Sequence, residues 1–180
     1  IARLEQAKIN LASFEVTFSL ALIIESPIIN LLTAGTALAG SQASYHRLLR
    51  FMHMMGLTLT VLHVVIGFSP LYDIILLHAI GVPETVLITS KPAFLLMIPW
   101  SAAIGYRRLW QGILIKFNRT KLIPITMISR LAVSAIILII GLVTRSIPGA
   151  ALGGLALTGG VITGAVSSYI LYRKHVYPLM

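Results

Sequence analysis

Five runs of about 20 or more largely apolar residues dominate this sequence, near residues 11–38, 48–68, 93–114, 122–143 and 150–172. A helix of that length crosses the hydrocarbon of a bilayer. Lipid offers no hydrogen-bond partners, so only helices and closed barrels can span it. Each run exceeds the ~10 residues of a barrel strand, and none alternates with period two. The expected fold is therefore an all-α integral membrane bundle with five transmembrane helices, the chain 1–180 forming a single unit. The stretch 71–82 is apolar but too short to span, and it carries Tyr72, Asp73 and His78. It reads as a helix lying at the interface.

Composition closes the other routes. Of the 180 residues, 57% are hydrophobic and 11% charged, against roughly 25% charged in an ordinary soluble domain. Too little polar surface is present for a water-soluble fold, and too much apolar residue for disorder. The net charge of +9 would suggest nucleic acid in a soluble chain. Here the basic residues sit between apolar runs, where membrane orientation explains them, and no nucleic-acid partner is expected. With no cysteine there is no disulfide and no thiolate metal site. No nucleophile elbow, phosphate loop, zinc motif or paired carboxylate occurs, so neither an enzyme, a metal site nor a cofactor is expected. Asn118-Arg119-Thr120 matches a glycosylation sequon but falls on the side assigned below to the cytoplasm.

Charge also orients the chain. Nine Lys and Arg fall on one side of the membrane: Arg47, Arg50, Arg107, Arg108, Lys116, Arg119, Lys121, Arg173 and Lys174. Four fall on the other, Arg3, Lys8, Lys91 and Arg145, with Glu5, Asp73 and Glu84. The positive-inside rule makes the richer side cytoplasmic, with the N-terminus outside and the C-terminus inside. A chain that starts at Ile1 and begins outside is expected to lack a preceding helix.

The first run is rich in residues that a membrane makes expensive. Glu15, Ser19, Ser26, Asn30 and Thr33 share an arc of roughly 60° on a helix, with Glu25 about 80° to one side. Such a stripe must face the bundle interior or a water-filled cavity. Pro27 removes the hydrogen bond to the carbonyl of Ile23 and bends the helix beside Glu25. Ser26, Asn30 and that carbonyl would supply oxygens for a small cation; the alternative is a packing kink with a hydrogen-bonded carboxyl. Arg130, the one basic residue well inside a run, either pairs with Glu25 or snorkels to headgroups. Arg107 and Arg108 either line an inner cavity fit for anions or anchor the third helix. Pro99 is a second kink and hinge candidate, and Pro92 is expected to open the third helix. His63 reads as a packing histidine. Gly149, Gly153, Ala156, Gly160, Gly164 and Ser167 form a small-residue seam for close helix contact.

The stretch Leu22-Ile23-Ile24-Glu25-Ser26-Pro27-Ile28-Ile29 resembles the second helix of a lobe in the multidrug and lipid-linked oligosaccharide exporter superfamily. Pro99-Trp100 through Ala103, then Tyr106-Arg107-Arg108 and Gln111 to Ile115, resembles the fourth helix and its cytoplasmic exit. The branch is that of MATE-like bacterial proteins related to the progressive ankylosis protein, and the resemblance covers nearly the whole chain. It implies helices two to six of one six-helix lobe, nearer the N-terminal lobe by Trp110-Gln111-Gly112, with helix one and the partner lobe missing. It also implies alternating access in a bacterial inner (plasma) membrane. Two transporter readings follow: export coupled to Na⁺ or H⁺ at Glu25, or export or flipping of anionic, lipid-linked substrates on the arginines. A third reading is a non-transporting scaffold packed through the glycine seam.

Overall fold

The computed structural model describes residues 6–180, so Ile1, Arg3 and Glu5 lie outside the described residues. The described residues contain helices and no strand. Helix α1, Ala7–Glu25, continues through a short 3-10 turn, Ser26–Ile28, into α2, Leu31–Leu38. Helix α3 is Gln42–Phe68, and α4, Leu71–Ile74, runs on as a π-helix to Ile80. Then come α5 (Glu84–Leu96), α6 (Trp100–Lys116), α7 (Ile123–Thr144) and α8 (Gly149–His175). Four helices are long and apolar enough to cross a membrane, and a fifth is made by α5 and α6 taken together, bent by 45°. The all-helical expectation is borne out, with four to five helices able to cross a membrane where five were expected.

Two boundaries moved for reasons of packing. The second span starts at Gln42 rather than near residue 48, because Ser41 and Ser44 cap it reciprocally. The third starts at Glu84, so Pro92 lies inside α5 instead of opening the span. The segment before Pro92 is held helical by α1. Ser13 Oγ donates to the Val86 carbonyl and Thr17 Oγ1 to the Ser90 carbonyl, both at 3.2 Å. In each case a polar side chain in a membrane finds an acceptor on a neighbouring helix.

The bend at Pro99 shows what replaces a lost helical hydrogen bond. Pro99 has no N–H for the Leu95 carbonyl, which accepts instead from Ile98 at 3.2 Å. Met97 N–H turns to the Phe94 carbonyl at 3.1 Å. That carbonyl also accepts from His63 Nε2 at 2.9 Å, while the imidazole stacks on the Phe94 ring with centroids 4.0 Å apart. His63 thus fixes the bend from α3, in line with the packing role read from sequence.

Helix α8 is the centre of the bundle and α7 its outer wall. The most apolar window of α8 is 67% buried, that of α7 only 11%. Small residues let α8 sit among α1, α5, α6 and α7: a Cβ at Gly154 would lie 2.9 Å from the Ala93 carbonyl oxygen. A second close crossing, Gly35 of α2 against Gly112 of α6, lies outside the predicted seam; a Cβ at Gly35 would meet the Leu109 carbonyl at 2.8 Å. The spans alternate in direction. Asn10 Oδ1 accepts from Ala150 N–H at one end, and Lys116 Nζ donates to the Ala37 carbonyl at the other, at 2.9 and 2.8 Å.

Candidate functional site

Arg107 lies near the middle of α6, and only 6% of its surface is exposed. The helix continues past it to Lys116, so Arg107 and Arg108 stand about two turns inside the helix end. Arg107 Nη1 donates to Gln111 Oε1 at 3.5 Å, one turn along. Gln111 Nε2 in turn donates to Thr126 Oγ1 of α7 at 2.9 Å. Both polar residues are buried, and sequence reading had singled out neither Gln111 nor Thr126 as part of a site. Their signal was faint: an amide and a hydroxyl on separate helices acquire a shared role only when the helices pack.

The glycines of α8 make the room that these arginines occupy. A Cβ at Gly164 would come 3.0 Å from Arg107 Cδ and 3.7 Å from Arg130 Cβ. A Cβ at Gly160 would lie 3.3 Å from Arg130 Cγ. Arg107 from α6 and Arg130 from α7 therefore lie over one face of α8. Gly149 and Gly153, at its outer end, are buried as well. The seam does pack helices, and its inner half also receives two cationic side chains.

Glu25, at the end of α1, completes the group. It is 3% exposed, and its Oε2 has no hydrogen-bond partner. Its charge is felt by, and feels, the Trp100 indole and then Arg107, Arg108 and Arg130. No bond of good geometry joins it to Trp100, whose Nε1 is itself unpartnered. Among the described residues the one ion pair is Lys91–Asp73, so Arg130 shares a neighbourhood with Glu25 without pairing to it. The Nε atoms of Arg107 and Arg108 are buried without acceptors. Two guanidinium groups thus lie over one face of α8, with a buried donor of Arg107 and a buried oxygen of Glu25 both left without partners. Low-dielectric surroundings make such unpartnered groups costly unless an anion or water shares the site.

The remaining sequence candidates are placed elsewhere. Glu15, Ser19, Ser26, Asn30 and Thr33 are all exposed, so the polar stripe does not face the interior of this bundle. The buried face of the first span carries Asn10, Ser13, Thr17, Leu20, Ile24 and Leu31, roughly 150° away on a helical projection. That face won because its hydroxyls and amide reach carbonyl and N–H groups of α5 and α8. The expected cation site of Glu25 with Ser26 and Asn30 does not assemble. Ser26 Oγ donates to the Ile23 carbonyl at 2.9 Å, so the group freed by Pro27 is already satisfied. Among the described residues no cluster of three or more His, Asp or Glu could hold a metal ion. Pro27 stands in the 3-10 turn of a first span that stays continuous, and Pro99 at the 45° bend of the third.

A family model described as Progressive ankylosis protein (ANKH) matches residues 1–150. The matched stretch contains Glu25, Arg107, Arg108 and Arg130, and it ends where α8 begins. No curated protein and no solved structure matches the chain.

Proposed function

The chain belongs to the progressive ankylosis protein family, a family of multi-pass membrane proteins, and from that premise we propose that it carries a small polyanion across the membrane on its arginine cluster. The observation that carries this reading is that Arg107 and Arg130 lie over the same glycine of α8 while buried Nε atoms of Arg107 and Arg108 have no acceptor. Guanidinium forks bind phosphate and carboxylate oxygens through paired, charge-assisted hydrogen bonds. The unpartnered Nε atoms of Arg107 and Arg108 are donors of that kind. Multiply charged anions such as pyrophosphate or citrate suit this donor set.

Glu25 is the coupling residue in this proposal. Its buried carboxylate oxygen without a partner is where a coupling proton or Na⁺ would load when no substrate is bound. Loading the arginines with an anion and Glu25 with a cation would be linked by their shared electrostatics. The exposed stripe from Glu15 to Thr33 lines the water-filled path in the same reading, since lipid cannot satisfy it. A MATE-like partner lobe would close that path from the other side, with Pro27 and Pro99 as hinges, in a plasma membrane with the Lys116 end cytoplasmic. A lipid-linked substrate is the variant in which the anionic headgroup alone enters the cluster. The scaffold reading has no use for an unpaired cationic cluster.

The test is uptake of labelled pyrophosphate and citrate into proteoliposomes holding the full-length protein. Arg107→Gln is expected to abolish saturable uptake of both while the protein still elutes as a folded species. Uptake unchanged in that variant would refute the arginine site. Uptake of neither anion, with transport of an organic cation instead, would favour drug export.

A further inference from the structure

Outside the arginine cluster, a groove of about 430 Å³ opens between α4 and α5, lined by Asp73, Leu87, Ile88, Lys91, Pro92 and Leu95. Its mouth is charged and its floor is apolar. Lys91 Nζ donates to Asp73 Oδ1 at 3.1 Å, and both side chains remain partly exposed, at 36% and 42%. The pair is held on a rigid base. Tyr72, fully buried beside Asp73, donates its hydroxyl to Ser90 Oγ at 2.7 Å, and Lys91 Nζ lies 5.7 Å from the Tyr72 ring centroid.

The surface around the groove is that of a lipid-facing wall. Ile74 is 52% exposed and Ile88 67%, in contrast to the polar stripe on α1. The groove therefore joins one ammonium–carboxylate pair to an apolar lining.

We propose that this groove binds a phospholipid whose headgroup carries a primary ammonium, phosphatidylethanolamine, with its phosphate on Lys91, its ammonium on Asp73 between Ile88 and Lys91, and an acyl chain running inward along Pro92 and Leu95. Charges alternate around such a site, so the Asp73–Lys91 pair persists when the lipid is bound. The N–H donors of the lipid meet the carboxylate oxygens of Asp73. Phosphatidylcholine has the same phosphate and acyl chains but no N–H, and it leaves the acceptors unmatched.

Native mass spectrometry of the full-length, delipidated protein tests this, with dioleoyl phosphatidylethanolamine and dioleoyl phosphatidylcholine titrated in detergent. The ethanolamine lipid is expected to bind roughly tenfold more tightly, as a charge-assisted hydrogen bond warrants. Asp73→Asn should erase the preference, and Ile88→Trp should fill the groove and weaken the binding of both lipids. Equal affinities in the wild-type protein overturn the proposal, whether another protein surface covers the groove or nothing does. A preference that survives Asp73→Asn overturns it too. Should Asp73→Asn fail to fold, Ile88→Trp, which keeps the ion pair, decides: undiminished phosphatidylethanolamine binding there rejects the site.

Discussion

Gly164 of α8 stands against the side chain of Arg107 of α6, so closely that a Cβ there would lie 3.0 Å from Arg107 Cδ. The absent side chain is what gives a buried guanidinium its place. In a bilayer a cationic group this far from a helix end is expensive unless the bundle provides partners and space. Here one residue supplies the space, and Gln111 supplies a partner.

Gly164→Ala is therefore expected to act on binding more than on folding. Its methyl group must move Arg107, whose side chain can give, whereas Gly160→Leu would collide with the Ser134 hydroxyl and the Arg130 backbone. Overpacking of that kind costs about 1–3 kcal/mol. Thermal unfolding in detergent should fall clearly for Gly160→Leu and little for Gly164→Ala, while anion affinity falls for Gly164→Ala. Equal heat stability of wild type and Gly160→Leu would place the seam against lipid instead of α7.

Glu25 and Arg130 make a distinct prediction because no ion pair joins them. Glu25→Gln should uncouple transport from the ion gradient at a modest cost in stability, since no bonded partner is stranded. Had the two been bonded, Glu25→Gln would strand a buried cation and Arg130→Gln would restore stability. The expected result of the double-mutant cycle is a coupling in melting temperature smaller than a bonded pair would give. Rescue by Arg130→Gln would show that the pair forms after all.

His63 can be dissected by two substitutions. His63→Phe keeps the ring against Phe94 and loses only the bond to the Phe94 carbonyl, a loss of about 1 kcal/mol. His63→Ala also leaves a cavity, and about 2–5 kcal/mol should go. Denaturation midpoints in the same detergent give both values. Equal effects of the two substitutions would mean that ring packing contributes nothing.

Topology is the simplest check. Lys116 reaches the Thr36 and Ala37 carbonyls, so the ends of the first and third spans lie together. Reporter fusions after Gln42, Phe117 and Lys174 should all report cytoplasm, and one at Glu84 the outside. A cytoplasmic signal at Glu84 would reverse the orientation drawn from charge.

The sequence by itself determined the membrane class, the spans and the residues that a bilayer makes costly. Hydrocarbon thickness sets helix length, and the residues of each run carry that information locally. It also marked Glu25, Arg107, Arg108 and Arg130, since a charge inside an apolar run is visible without any fold. What it could not decide was which face of the first span is buried. Asn10, Ser13 and Thr17 lie on one arc and Glu15, Ser19 and Ser26 on the opposite one, and both are polar. Only the tertiary structure chose, because Val86, Ser90 and Ala150 hold the matching backbone groups and come from segments about 75 to 140 residues away. The same holds for Pro92, a helix opener by local rule that packing against α1 moved into the interior of α5. Local chemistry states what each residue needs, and packing alone settles which neighbour supplies it.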